Sequence, residues 1–437
     1  MFRYYVWLAL RSLRRNPILT TLMVAAIGLG IGASMTTLTI FRTMSGDPIP
    51  DKSAKLFVPQ IDNWGPDERH RFSASEMPDQ LSYTDANALM QAHAAPHQAA
   101  LYPTYFVVTA PDPQLRPFQV EARAAYTDFF SMFEVPFRYG APWGEREDQD
   151  RSDVAVIDSK LNDKLFGGAN SVGKTIHLNR RDYRIVGVLA PWNPEPRVYD
   201  VVSTTFDQPE QVYVPFTNAI EQQLPNWGDN ACINDTGSGW DGHLHSDCVW
   251  LQFWVELPDA DAVRRYAAFL DSYAAEQQRI GRFHWAPFTR LRSLHQWMKI
   301  ERVVTDESRI LVVVSFGFLL VCLLNAVGLM LAKFMNRAGE TGVRRALGAD
   351  RRAVFAQCLV ETGVIGVAGG LLGLLLTAAG LAGARAVLSE EIGRLAHLDL
   401  VDVLLTVTLA VVSAALAGLY PTWRATLVQP AWQLKAN

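Results

Sequence analysis

The sequence has little net charge, and charge is missing altogether from several long stretches. Its 437 residues include 40 lysines and arginines against 44 aspartates and glutamates, a formal net charge of −4. This balance gives no sign of the strongly basic surface that a nucleic-acid partner would require. The stretches without charge decide the class of protein.

Four uncharged stretches predict membrane helices. They cover residues 16–41, 310–332, 362–384 and 403–423, and we place the third span at 360–384. Each supplies the roughly 20 apolar residues that a helix needs to cross about 30 Å of hydrocarbon. Buried helices of a soluble protein would each show a polar face, which these stretches lack. The first stretch exceeds the apolar region of a signal peptide and no convincing cleavage site follows it, so we interpret it as a retained anchor.

Lysines and arginines are concentrated on one side of the spans and predict the orientation. They occur in the N-terminal segment 1–15 and in the loop 333–359: Arg3, Arg11, Arg14, Arg15, Lys333, Arg337, Arg344, Arg345, Arg351 and Arg352. Cytoplasmic loops are enriched in such residues, so both termini, including the tail 424–437, are predicted to be cytoplasmic. Residues 42–309 and the short loop 385–402 then lie outside, in the periplasm.

The N-terminal segment and the membrane face allow two further interpretations. Residues 1–15 are predicted to form an amphipathic helix on the inner membrane surface, the alternative being a continuation of the first span.

No catalytic triad, paired intramembrane carboxylates or zinc-ligand spacing occurs at the membrane face. An enzyme embedded in the membrane is therefore disfavoured.

The external segment alternates strand and helix patterns. Strand–helix–strand units near its two ends predict one α/β subdomain built from residues 54–115 and 250–292. Residues 116–216, which contain several further strand patterns, are predicted as a second, inserted subdomain. Residues 217–249 form a loop excursion. The predicted fold class is therefore a membrane α-helical protein with four transmembrane helices and a large periplasmic α/β domain of two subdomains.

The loop excursion contains two of the four cysteines. Cys232 and Cys248 flank a loop rich in glycine and aspartate, and an oxidising compartment favours a disulfide between them. Asp241, His243, His245 and Asp247 lie in the same loop and make a metal site conceivable. Such residues in a polar loop are usually solvated, so we expect no metal.

The stretch "GGANSVGKT" matches the phosphate-binding pattern G-x-x-x-x-G-K-[ST] at Gly168, Gly173, Lys174 and Thr175. A phosphate loop needs a strand before it and a helix that begins at the lysine. Here a short helix is predicted before the glycines, and the alternation after Lys174 predicts a β-hairpin. We therefore interpret the match as a decoy and expect this chain to bind no cofactor.

The loop 333–359 is basic and amphipathic. It is suited to docking on a soluble partner, and the alternative is a basic helix that only binds anionic lipid. Its central stretch, "ETGVRRALGA" from Glu340 to Ala349, resembles the signature of FtsX-like, MacB-type ABC transporter permeases. Asn325, Glu361, Gly369, Gly370 and Gly373 also fit that family's pattern, as does the closing "YPTWRATLVQPAWQLK". The resemblance spans nearly the whole chain, although the Cys232–Cys248 excursion departs from it.

The resemblance implies a permease subunit of the bacterial inner membrane. It implies a dimer, formed with the same or another permease subunit, and a cytoplasmic ABC ATPase that binds ATP and magnesium. Because the first span already begins at Asn16, we expect the ATPase to be a separate chain. A periplasmic adaptor and an outer-membrane duct are further partners that the resemblance allows. Its ATPase-docking element would comprise Glu340, Gly342, Arg344, Arg345, Leu347 and Gly348.

The resemblance implies a non-catalytic function based on transmitted motion. ATP hydrolysis would drive periplasmic movements that export or extract a compound, peptide or lipoprotein. The alternative is a transducer that regulates an external enzyme such as a cell-wall hydrolase. Independently, small-xxx-small glycines predict close helix packing, either between two subunits or within one: Gly28, Gly32, Gly366, Gly370 and Gly373.

Overall fold

The fold was described from a computed structural model. It describes residues 15–47, 49–68, 77–110, 115–234, 237–337, 350–387 and 399–426, together with residues 7, 11, 339, 342 and 343. The chain divides into two compact units. A membrane unit takes residues up to Ser45 and from Val304 onward, and an external unit runs from Gly46 to Val303.

The described part of the membrane unit contains four helices that are long and apolar enough to cross a membrane. They are α1 (Pro17–Met44), α10 (Asp306–Met335), α11 (Arg351–Val387) and α12 (Leu400–Thr426). Local sequence sets their beginnings. Pro17 occupies the first turn of α1, where its missing N–H is harmless. The Thr305 side chain accepts a hydrogen bond from Ser308 N at 3.3 Å and so caps α10.

Each membrane helix extends beyond the apolar stretch at its centre. The largest difference is at α11, whose 37 residues would span about 55 Å at 1.5 Å per residue. Residues 351–359 of the predicted loop 333–359 are therefore helical and continuous with the third span. Of the predicted interface helix 1–15, only Trp7, Arg11 and Arg15 are described, and all three are helical. Residues 388–398 and 427–437 of the other predicted segments lie outside the described residues.

The core of the membrane unit is formed by one face of α1 against its neighbours. Met23, Ile27, Ile31 and Met35 recur every four residues along α1 and are at most 1% exposed. They pack in one cluster with side chains of the other three helices: Leu319, Leu323, Ala326, Met330, Phe334, Ile365, Ala410 and Ala417. The 3.6-residue period of the helix produces this stripe.

The external unit contains one mixed sheet of ten strands in its described residues. They are β1 (Leu56–Ile61), β2 (His97–Thr109), β3 (Phe118–Ala125), β4 (Phe137–Gly140), β5 (Val154–Ile157), β6 (Thr175–Leu178), β7 (Arg181–Leu189), β8 (Val212–Pro215), β9 (Gln252–Glu256) and β10 (Thr289–Ser293). Their order is β10-β1-β9-β2-β3-β8-β5-β7-β4, and β6 pairs with β2 and β7.

Strands from the two predicted subdomains occupy opposite halves of this sheet. The flanking segments supply β10, β1, β9 and β2, and the inserted segment supplies the remaining strands. The hydrogen bonding continues across the boundary, where β2 and β3 pair antiparallel from Leu101↔Ala125 to Val108↔Phe118. The division into two subdomains stays a prediction.

Eight shorter helices accompany the sheet in the described residues of the external unit. They are α2 (Tyr83–Ala92), α3 (Asp128–Met132), α4 (Glu145–Gln149), α5 (Ser159–Phe166), α6 (Phe216–Glu221), α7 (Gly239–Leu244), α8 (Ala260–Arg279) and α9 (Leu294–Ile300). The longest, α8, buries Ala262, Tyr266, Leu270 and Ala274 at a spacing of four. Asp259 caps its beginning by accepting from Ala262 N at 2.8 Å.

A charged network lies inside the external unit. Arg123 of β3 donates from Nε to Glu210 Oε1 at 2.7 Å and from a terminal nitrogen to Asp200 Oδ2 at 2.7 Å, and all three side chains are fully buried. Tyr199 OH donates to Glu210 Oε2 at 3.0 Å. Burial alone would raise the pKa of Glu210, but Arg123 and Arg197 more than offset this and lower it to about 2.

Arg123→Met is expected to destabilise the protein by about 3–5 kcal/mol, because it removes the cation that hydrogen-bonds Glu210 and Asp200. Arg197, at 3.5 Å from Glu210 and 3.7 Å from Asp200, is then the one described cation left beside the two buried carboxylates. Arg138→Met is the matched control, since Arg138 is exposed and lies 3.9 Å from Asp163 at the surface; its loss is expected to stay within about 1 kcal/mol. Unfolding of the purified protein in detergent, followed by tryptophan fluorescence, measures both. Equal losses would show that the network contributes no more than a surface pair.

Candidate functional site

An ion pair joins α10 to α11 where the chain enters and leaves the predicted coupling loop. Lys333 Nζ, near the end of α10, lies 2.5 Å from Glu361 Oε1 in α11, and both side chains are buried. Arg337 approaches the same carboxylate oxygen at 3.6 Å. Because a buried charge without its partner is costly, this cluster fixes the two helices to each other beside the loop. We call it the loop-end cluster.

The predicted docking residues belong mostly to the loop itself. Gly342 is described as helical and buried, and its neighbour Val343 is helical and exposed. Glu340, Arg344, Arg345, Leu347 and Gly348 lie outside the described residues. Their docking role stays a prediction.

A second ionic cluster joins α1 to α12. Arg42, in the last turn of α1, forms a salt bridge with Asp402 in the first turn of α12 and lies 4.0 Å from Asp399. Asp399 Oδ1 in turn accepts a hydrogen bond from Asp402 N at 2.6 Å. The helices alternate in direction along the chain, so this cluster lies at the end of the bundle opposite the loop-end cluster.

Neither cluster was recognised from the sequence. From the sequence, Lys333 is only a flanking positive charge and Glu361 only a position of the family pattern. The sequence does show that the charged residues of both clusters lie next to apolar stretches. A charge there is expensive unless it is paired, but the sequence does not show which residue of another helix is its partner.

The predicted packing glycines mediate contacts within the chain. A Cβ on Gly28 or Gly32 would lie within 2.8 Å of Leu372 or Leu376 of α11. The corresponding position on Gly373 is 2.7 Å from Ile31 of α1. Gly366 and Gly370 face Ala414 and Ala410 of α12 at 2.1 and 2.6 Å. These contacts show close packing within the chain, and a role of the glycines between two subunits stays a prediction.

The phosphate-loop match occupies a turn between a helix and a strand. Helix α5 ends at Gly167, and Gly168 and Gly173 both have positive φ. Thr175 begins β6, which pairs antiparallel with β7. Gly173 N donates to Ile185 O at 2.8 Å and Lys174 N donates to Ser171 O at 3.0 Å. These backbone groups are therefore already used and do not point at a free phosphate position.

Cys232 and Cys248 form a disulfide in the structure. Beside it, Ala231 and Val249 exchange backbone hydrogen bonds of 3.1 and 2.9 Å, which close the loop excursion. His243 of this loop packs on Trp250 with ring centroids 5.1 Å apart, and burial lowers its pKa. In the part of the chain that the structure describes, no three His, Cys, Asp or Glu side chains are grouped as metal ligands.

Fold and site together define a multi-pass membrane protein with a large α/β domain inserted after its first helix. Residues 20–272 match the MacB-like periplasmic core domain. Residues 312–430 match the FtsX-like permease C-terminal domain. The chain therefore belongs to the MacB/FtsX-type family of ABC transporter permeases.

Curated relatives of the chain are exporters. Over 296 residues it is 24% identical to "Macrolide export ATP-binding/permease protein MacB" of Chlorobaculum tepidum, covering 67% of this chain and 40% of the relative. It is 23% identical over 250 residues to "Pyoverdine export ATP-binding/permease protein PvdT" of Pseudomonas aeruginosa, covering 57% and 33%. The chain thus spans at most about two fifths of these relatives' length.

Among solved structures, the periplasmic region of MacB from Actinobacillus actinomycetemcomitans is similar to this chain. The match has 15% sequence identity and a TM-score of 0.37, and it covers 58% of this chain and 96% of that one.

Gly366→Ala is expected to lower the temperature of half-unfolding, because the added methyl would overlap Ala414. Overpacking of this kind costs about 1–3 kcal/mol. Gly363→Ala is the matched control one turn earlier in α11, where a Cβ meets no described atom within 4 Å. It should be neutral or slightly stabilising. Thermal unfolding in detergent distinguishes the variants, and equal behaviour would contradict the packing assignment.

Lys174→Ala is expected to leave nucleotide binding unchanged, because Lys174 Nζ lies 5.1 Å from the centre of the Phe166 ring and the residue directly precedes the first strand of a hairpin. Binding of a fluorescent ATP analogue to the purified chain measures this. Lys164→Ala, in the helix before the turn, is the control. Nucleotide binding that disappears only in Lys174→Ala would show that the phosphate-loop match is functional.

Proposed function

We propose that the chain is the permease subunit of a MacB-type ABC exporter that converts ATP hydrolysis into movement of its external unit. The reaction would occur on an ABC ATPase outside residues 1–437, which holds ATP and magnesium. The cargo would be a compound, peptide or lipoprotein that is exported or extracted. The chain itself would bind no cofactor and would have no catalytic role.

The loop-end cluster is the observation that supports this proposal most directly. A partner that moves the loop after Met335 acts on the end of α10 and on the beginning of α11. Because the buried pair Lys333–Glu361 joins these two helices, they would move together. The partner's force would then act on both helices and not only on the loop.

Chain connectivity gives that movement a route to the external unit. Helix α10 begins three residues after Val303, the last residue of the external unit, and α1 ends two residues before Gly46, the first. Helix α1 is also the one into which Gly369 and Gly373 of α11 pack, through Ile27 and Ile31. A displacement of α10 and α11 would therefore reach both covalent connections to the external unit.

We extend the proposal to location and partners. The basic flanks favour the inner membrane, with both termini and the loop 333–359 in the cytoplasm. A second permease subunit would complete the transporter, and a periplasmic adaptor and an outer-membrane duct would extend it. The glycine contacts described above lie within the chain, and a dimer through these glycines stays a prediction.

Reversing the charges of Arg344 and Arg345 to glutamate is expected to abolish co-purification of the ATPase with the tagged chain. The physical reason is that a basic docking element would lose its attraction to an acidic surface. Arg264→Glu with Arg265→Glu is the matched control, since these adjacent arginines are exposed on α8 of the external unit. Membrane levels of both variants should equal those of the unaltered chain.

The measurement is the amount of ATPase recovered from native membranes, with the stimulation of its activity as a second readout. Recovery that is unchanged by the Arg344 and Arg345 reversals would refute the docking assignment. If the Arg264 and Arg265 reversals reduce recovery of the ATPase equally, the effect is a general one of charge, and the docking assignment is refuted as well.

A further inference from the structure

A cavity of about 310 Å³ lies within the external unit, and its lining includes no residue of the phosphate-loop match. Its wall is built from the end of α2, the start of β2, the segment that joins β3 to α3, and helix α4. The volume falls at the low end of the roughly 300–1,000 Å³ typical of small-molecule sites. It is large enough for a small organic ligand.

The charged groups on the wall are mainly carboxylates. Asp128, Glu145 and Asp148 line the cavity, whereas its described lining includes no lysine or arginine, and only His93 can become positive there. Asp128 already has partners, since it accepts from Gln98 N at 3.0 Å and His97 Nδ1 lies 3.1 Å from it. Glu145 is exposed. The cavity therefore favours a positive ligand.

Asp148 is the buried carboxylate whose negative charge no described cation balances. It is only 5% exposed, and it accepts from Thr127 N and from Trp143 Nε1, both at 2.9 Å. A carboxylate has about four acceptor positions, and among the described residues no cation pairs with this one. Burial raises its pKa to about 7. A cation placed in the cavity would restore the free energy that burial of the ionised carboxylate costs.

Two uncharged groups on the wall would also interact favourably with a positively charged ligand. Gln98 is 3% exposed, and its amide nitrogen donates to Leu89 O and Met90 O. Its oxygen, on the other side of the amide, has no described hydrogen-bond partner and would accept from a donor. Tyr126 offers an aromatic ring, which stacks on Phe216 at 5.2 Å and attracts cations through its face.

The carboxylates are not grouped closely enough to coordinate a metal, as no three such ligands come together in the described residues. We infer that the cavity binds a small organic cation with N–H donors, such as an ammonium or guanidinium compound, with Asp148 as its buried counter-ion. Glu145 contributes attraction at the entrance. This site is independent of the ATPase-docking loop.

Isothermal titration calorimetry of the full chain in detergent at neutral pH tests the inference. The probe is agmatine, which carries a guanidinium and an ammonium group. n-Butylurea is the uncharged control compound with similar N–H donors, and glutarate is the anionic control. Agmatine should bind at least tenfold more tightly than either control, since hydrogen bonds between charged partners are about twice as strong as neutral ones.

Asp148→Asn is expected to weaken agmatine binding about tenfold, and the exposed Glu145→Gln about two- to threefold. Asp150→Asn is the matched control, because this exposed residue at the end of α4 loses the same charge but does not line the cavity. If the melting curve of Asp148→Asn shows that this variant does not fold, the agmatine affinity of Glu145→Gln is compared with that of Asp150→Asn instead. The inference is refuted if agmatine does not bind, if a control compound binds equally, or if Asp150→Asn has the effect of the cavity variants.

Discussion

Close approach of α11 to its neighbours is the constraint on which the membrane unit depends. Gly369 and Gly373 receive Ile27 and Ile31 of α1, while Gly366 and Gly370 face Ala414 and Ala410 of α12. Lipid tails are as apolar as the helices, so burial alone does not hold them together, and van der Waals contact at short distance must do so. Two faces of α11 are committed in this way, one to α1 and one to α12, while α10 packs mainly against α1 and α12.

Paired charges then define the two ends of this bundle. Lys333 with Glu361 joins α10 to α11, and Arg42 with Asp402 joins α1 to α12. Such pairs add little net stability, because desolvation offsets much of the attraction. They instead penalise any sliding of one helix along another that would separate the partners. The proposed permease function requires displacement to be transmitted along the bundle, and it would depend on such pairs.

Sequence patterns predicted those elements whose signal is local. The four spans follow from apolar length, and most strands follow from alternation. The ends of the membrane helices could not be predicted in this way, because apolar length indicates only the part of a helix that lies in the membrane. Helix α11, for example, already begins at Arg351, before its apolar stretch. The short strand β4 and the short helices α3, α4, α6, α7 and α9 were not predicted either. The ion pairs and the cavity combine residues far apart in the chain: Asp148 and Gln98 meet only after β2, β3 and α4 have assembled, which no local pattern records.

The phosphate-loop match shows the opposite case, in which a local pattern is present without its function. Both a phosphate loop and this turn need glycine for backbone conformations that other residues adopt at a cost. At Gly168 and Gly173 φ is +77° and +85°, so the glycines are explained by the turn alone. What distinguishes the two structures is the use of the N–H groups, which bind phosphate in one and close the β6–β7 hairpin in the other. Residue letters therefore identify a turn, and the hydrogen-bond partners of its backbone determine whether that turn can hold a nucleotide.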